Sequence, residues 1–81
     1  MKEWVLYIIK CRDGSLYTGI TTDLNKRLRL HNEGKASKYT RSRRPVRLAR
    51  TEVFNNESSA RKREAEVKSL SRAEKLELTA K

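Results

Sequence analysis

The stretch Trp4-Val5-Leu6-Tyr7-Ile8-Ile9-Lys10-Cys11, then Arg12-Asp13-Gly14, then Ser15-Leu16-Tyr17-Thr18-Gly19-Ile20, decides how this chain folds. Residues 3–11 are rich in β-branched and aromatic types, which suit a pleated surface. Trp4, Leu6 and Ile8 point to one face, and Val5, Tyr7, Ile9 and Cys11 to the other. Apolar side chains on both faces predict a strand covered on both sides, hence a central one. Residues 15–20 predict a second, shorter strand, joined to the first by a hairpin turn.

The length of that turn fixes which side chains meet. A two-residue Asp13-Gly14 turn would pair Arg12 with Ser15 and put Tyr7 and Tyr17 on opposite faces. A three-residue turn, Arg12-Asp13-Gly14 with a left-handed Gly14, pairs Cys11 with Ser15. Tyr7 then lies opposite Gly19 and Tyr17 opposite Ile9, so both tyrosines share a face and Gly19 leaves space beside Tyr7. A single site built on both tyrosines needs this second register.

Outward from the hairpin, Thr22 or Asp23 caps a helix over about residues 23–32. At about 100° per residue, Leu24, Leu28 and His31 fall on one stripe, with Arg27 beside it. Arg27 and His31 are therefore expected at the edge of the buried seam, and Glu33-Gly34 ends the helix. Residues 33–45 read as a basic loop holding Lys35, Lys38, Tyr39, Arg41, Arg43 and Arg44, closed by Pro45. Val46 to Phe54 reads as a third strand with imperfect alternation. A helix over about 57–69, capped by Asn55 or Asn56, turns Ala60, Glu64 and Val67 inward. A carboxylate on an otherwise apolar stripe is a local inconsistency of the kind that marks function. Ser71 and Glu74 form a capping box for a last helix, with Ala73 and Leu76 inward. The expected fold is α/β (α+β): a three-stranded antiparallel sheet flanked by helices, in the order β-β-α-β-α-α, as a single domain over 1–81.

The composition limits the partners. Twenty Lys and Arg stand against ten Asp and Glu in 81 residues, a net charge of +10, and the pI is about 10.3. This balance favours polyanions, above all nucleic acid. The lone Cys11 excludes an internal disulfide, and no Cys/His cluster offers zinc. The longest apolar run, Trp4 to Ile9, is too short to span a bilayer. With no secretory signal pattern at the N-terminus, a reducing cytoplasmic setting is expected. No helix pairs a large apolar face with a basic one, so no membrane-surface role is expected.

The shared face carries the parts for phosphodiester hydrolysis, which needs an activated water, charge neutralisation at the phosphoryl oxygens and a proton path. Tyr17 or Tyr7 can take a proton from water if a neighbouring cation lowers its pKa. Arg27 can clamp a phosphate oxygen through its planar fork. His31 can shuttle protons, and Glu64 can hold one Mg²⁺ or Mn²⁺. Each residue also has a plainer reading. A strand tyrosine is usually a core or rim aromatic, and Glu64 can simply pair with Lys68 one helical turn on.

The ordered set of Tyr7, Tyr17, Gly19, Arg27, His31 and Glu64 resembles the GIY-YIG nuclease superfamily, above all its small stand-alone bacterial members. Val5-Leu6-Tyr7 stands at the family's first triplet and Tyr17-Thr18-Gly19 at its second. Arg27 falls at the catalytic arginine, His31 where members carry a histidine or tyrosine, and Glu64 at the metal-binding glutamate. The resemblance implies a divalent-metal-dependent DNA endonuclease of repair or recombination, acting as a monomer or weak homodimer. Tyr17 is the preferred general base, with Tyr7 its partner or alternate. Lys35, Lys38, Tyr39, Arg41, Arg43, Arg44 and Arg61 are expected to hold the substrate backbone, DNA in preference to RNA. The alternative is an accessory nucleic-acid-binding module of the same fold with little or no turnover.

Overall fold

The computed structural model describes residues 3–80, so Met1, Lys2 and Lys81 lie outside the described residues. Strands β1 (Trp4–Cys11) and β2 (Leu16–Thr21) are followed by helix α1 (Leu24–Asn32) and the single turn α2 (Lys38–Arg41). Strand β3 (Val46–Phe54), helix α3 (Glu57–Lys68) and helix α4 (Arg72–Thr79) complete the order. The sheet is antiparallel with strand order β2-β1-β3, so β1 is central, as its two apolar faces require.

The hairpin takes the three-residue turn. The Cys11 N–H donates to Ser15 O at 2.8 Å and the Gly14 N–H to Cys11 O at 2.9 Å, with Gly14 at φ +86°. The left-handed position is open to glycine at no steric cost. The Asp13 carboxylate fixes the turn from outside, accepting from the Ser15 N–H at 3.0 Å and its hydroxyl at 2.6 Å. Tyr7 therefore pairs with Gly19 and Ile9 with Tyr17.

Each face of β1 has its own core. On one, Tyr7, Ile9, Cys11 and Val46 pack with Tyr17, Leu24 and Leu28 under α1. On the other, Leu6, Ile8 and Val67 pack with Leu16, Ile20, Phe54 and Leu78 under α3 and α4. The uneven alternation of β3 has a geometric cause. Ile8 pairs with Arg50 and Ile9 with Leu48, so Ala49 is an extra residue. A bulge of one residue switches the side-chain parity. This is why Val46 serves the first core and Phe54 the second.

The structure corrects three expectations. The segment 33–45 is not loop throughout: the Ser37 hydroxyl accepts from the Tyr39 N–H at 3.1 Å and nucleates α2. In α4 the capping box forms, but Ala73 and Leu76 are exposed and Leu78 is the residue that meets the core. Docking through the C-terminal turn of α4, which the helical period alone does not specify, selects Leu78. His31, expected at the edge of a seam, is only 1 % exposed, because α2 closes over it. Among the described residues no helix is long and apolar enough to cross a membrane.

Candidate active site

The site grows from the Tyr7–Gly19 pair. The absence of a side chain at Gly19 lets the Tyr7 ring lie across β2: a Cβ there would stand 2.5 Å from the Tyr7 hydroxyl oxygen. From α1, His31 sets its ring edge-on to both tyrosines, with centroids 5.7 Å from Tyr7 and 5.2 Å from Tyr17. His31 Nε2 and the Tyr7 hydroxyl are 2.9 Å apart, and His31 Nδ1 and Thr40 Oγ1 are 2.8 Å apart. The Thr40 hydroxyl in turn lies 3.4 Å from Ser37 O, which can only accept. One assignment uses every one of these contacts, although Ser37 O already accepts from the Arg41 N–H at 3.0 Å. Thr40 donates to the carbonyl, Nδ1–H donates to Thr40, and the Tyr7 hydroxyl donates to an unprotonated Nε2.

The electrostatics agree with a neutral imidazole. Burial, with Arg27 second, lowers the His31 pKa from its ordinary 6.5. Burial also raises the Tyr7 pKa, helped by the charges of Tyr17 and Glu64 and opposed by Arg27. Tyr7 is therefore a protonated phenol, and ionising it takes a proton acceptor in contact with it. His31 Nε2 is the group in contact with it.

Tyr17 is half-buried and stacks on Tyr39 at 5.9 Å and 28°. The Arg43 guanidinium lies 4.0 Å from the Tyr39 ring centre, a cation–π contact. Its Nε donates to Asp13 Oδ2 at 3.1 Å and its Nη1 to Tyr39 O at 2.8 Å. Arg43 thus ties the hairpin turn to α2 and braces the aromatic column.

Arg27 and Glu64 act on Tyr7 through charge. Arg27 is half-buried on α1 beside an open hollow of about 300 Å³, also lined by Thr22, Asp23 and Lys26. No carboxylate among the described residues pairs with it. Glu64 projects from α3, which lies on the opposite face but packs against β2, the edge strand. Its carboxylate is 20 % exposed and meets Lys68 Nζ at 3.3 Å, so the plainer ion pair forms too.

The expected backbone-binding residues divide into two groups. Lys35, Lys38 and Arg41 line a hollow of about 420 Å³ next to Ser37. Lys35 meets Glu33 only at 3.8 Å with most of its side chain in solvent. Tyr39, Arg43, Arg44 and Arg61 have structural partners. Tyr39 is held in the column, and Arg44 donates to Arg41 O at 2.8 Å and to Asn32 O at 3.4 Å. Arg61 pairs with Glu57 at i,i+4. Sequence reasoning missed Thr40, which is 0 % exposed. The one available signal was that a buried histidine needs partners for both ring nitrogens.

Known proteins share the sequence and fold of this chain. The GIY-YIG catalytic domain matches over residues 3–77. A UPF0213 protein of Staphylococcus saprophyticus is 51% identical over 78 residues, 96% of this chain and 95% of the relative. A UPF0213 protein of Bacillus halodurans, solved in solution by NMR, is 46% identical with a TM-score of 0.63, covering 96% of this chain and 83% of that one. A protein of E. faecalis, also solved by NMR, is 41% identical with a TM-score of 0.66, covering 99% and 86%.

Proposed function

This chain belongs to the GIY-YIG catalytic-domain family, and from that premise we propose that it is a nuclease that hydrolyses DNA phosphodiester bonds with one divalent cation, Mg²⁺ or Mn²⁺, in DNA repair or recombination. The observation that carries the reading is the buried Tyr7–His31 hydrogen bond of 2.9 Å, with Thr40 on the far side of the imidazole and the Arg27 charge nearby. Burial already asks for a partner at the Tyr7 hydroxyl and at both His31 nitrogens; the reading goes further because the Arg27 charge acts on both groups.

The residues present fit a hard cation. Glu64 offers one carboxylate, paired at 3.3 Å with Lys68, whose side chain is 54% exposed. Among the described residues no group of three His, Cys, Asp or Glu could hold a metal ion. A lone carboxylate would have to share the cation with water and phosphate oxygens, which Mg²⁺ and Mn²⁺ accept. When bound, such a cation neutralises charge at the phosphoryl group.

The chain's own residues do the rest. Tyr7 takes a proton from the attacking water while its own proton passes to His31 Nε2. The water oxygen bonds to phosphorus as the bond to the leaving oxygen breaks; the leaving oxygen takes a proton from solvent water, and His31 returns its proton through Tyr7 to solvent as product leaves. Arg27 donates to the phosphoryl oxygens as charge builds on them. Tyr7 displaces Tyr17 as the preferred base on one ground: its hydroxyl has a proton acceptor in contact. Tyr17 then packs the other side of His31, and Lys35, Lys38 and Arg41 hold the flanking backbone.

The test is incubation of labelled single-stranded, duplex, flap and branched DNA with Mg²⁺ or Mn²⁺, beside Glu64→Ala and Arg27→Ala. Metal-dependent cleavage lost in both variants is the expected result. Binding without cleavage on every substrate would overturn it in favour of the accessory module.

A further inference from the structure

Four cations gather between the hairpin turn, the start of β3 and α4, outside the set of residues placed at the candidate active site. Lys10, Arg12 and Arg47 line a groove of about 290 Å³ floored by Pro45 and Val46. Lys10 and Arg47 also line an adjoining hollow of about 340 Å³ beside the end of α4. No acidic residue lines either. Arg72 brings a fourth cation to the rim, donating to Gly14 O at 3.1 Å. Among the described residues none of the four is in an ion pair; the pairs that form use Lys35, Arg43, Arg50, Arg61, Arg63 and Lys68.

Register makes the cluster more than a byproduct of net charge. Lys10 stands directly opposite Arg47 on the β1–β3 ladder. Like charges in that relation destabilise a sheet. Lys10 also shares the side-chain parity of Leu6 and Ile8, not that of Tyr7. The Lys10 and Arg47 side chains therefore leave the sheet on the face opposite Tyr7, while Cys11 and Val46, which also line the groove, belong to the Tyr7 side. The carbonyls that end α4, near Thr79 and Ala80, attract cations, which offers a structural reason for Lys10 or Arg47. They offer none for Arg12 and Arg72, which gather at the hairpin turn.

We propose that the groove of Lys10, Arg12 and Arg47 is a second phosphate-backbone site, which holds a segment of duplex DNA distinct from the one at Tyr7. The choice of polymer rests on the nuclease reading; the polyanion chemistry rests on the groove alone. A sheet that carries an unneutralised Lys–Arg pair in the free protein gains by meeting a phosphate row, since each neutralised phosphate releases counterions.

The experiment measures binding of a labelled duplex of about 20 base pairs, in EDTA so that no cleavage occurs, over a range of salt. It compares the native chain, the triple variant Lys10→Gln/Arg12→Gln/Arg47→Gln, and a control triple of equal charge, Arg29→Gln/Lys62→Gln/Lys75→Gln. The slope of log affinity against log salt is expected to become shallower by about 2 to 3 in the first triple, at about 0.9 per phosphate contact, and by less than about 1 in the control. Thermal unfolding of the first triple is expected at the native midpoint or above it, because a repulsion has been removed. Equal slope changes in the two triples would overturn the proposal. So would a lowered midpoint with an unchanged slope, which would assign the cations to the end of α4. Because no cleavage is read, loss of the nuclease reading would leave this result standing, and active cleavage with an unchanged slope would remove this proposal alone.

Discussion

Replacing Gly19 with alanine tests the central contact of the site. The added Cβ would meet the Tyr7 hydroxyl oxygen at 2.5 Å, its Cζ at 2.6 Å and its Cε2 at 3.0 Å. Comfortable carbon contacts lie near 3.5–4.0 Å, so the ring must retreat by about 1 Å. Tyr7 is 3 % exposed and packs in the core with Ile9, Cys11 and Val46. Overpacking of this kind costs about 1–3 kcal/mol, and the strained bond to His31 adds about 1 kcal/mol. Alanine recovers about 0.5–1 kcal/mol of the backbone entropy that glycine loses in a strand. The net cost is about 1–3.5 kcal/mol, a fall in Tm of roughly 4–28 °C for a domain this small. Thermal unfolding followed by circular dichroism reads it directly. In a Tyr7→Leu background, where Cζ and the hydroxyl are gone, the same change should cost under about 1 kcal/mol, as a double-mutant cycle would reveal. A Tm within about 2 °C of native for Gly19→Ala alone would refute the reasoning.

Three further outcomes are expected. Thr40→Val keeps the shape but strips His31 Nδ1 of its partner. It should lower stability by about 1–3 kcal/mol and perturb the ¹⁵N signals of the chain's only histidine, whereas Thr40→Ser should restore both. His31 has a depressed folded pKa, so the unfolded chain takes up a proton first. Its contribution to stability is complete above pH 6.5 and declines as pH falls from there toward the folded value. Urea midpoints across that range, set against the same series for His31→Gln, would expose a missing slope. Glu52 accepts from Arg63 at 2.8 and 3.2 Å and from Arg50 at 2.9 Å. These bonds, those of Arg63 first, hold its pKa below the ordinary 4.5. Glu52→Gln should cost about 1–2 kcal/mol at pH 7. The gap should narrow as pH falls below 4.5 and through the folded pKa, and a gap constant down to pH 2 would count against the ion-pair account.

Local chemistry set a large part of this molecule. Gly14, the one turn position that needs φ > 0, chose the three-residue hairpin. That choice brought Tyr7 and Tyr17 to one face, and the period of two did the rest. Asp23, Asn56 and Ser71 start their helices through short-range bonds that any reader of caps can find. Gly19 beside Tyr7 and Glu64 between Ala60 and Val67 are likewise periodicity written in sequence. What acts across the sheet was not written there. The bulge at Ala49 arises from matching two strands to one core. The docking of α4 through Leu78 depends on where α3 already lies. Thr40 became a partner of His31 only when α2 packed over α1, nine residues and one turn later. The opposition of Lys10 and Arg47 exists only in the register of strands 35 residues apart. Backbone dihedrals, caps and periodicity act over a few residues and can be read in order. Burial, tautomer and charge clustering are set by side chains distant in sequence, and only tertiary packing decides which of them meet.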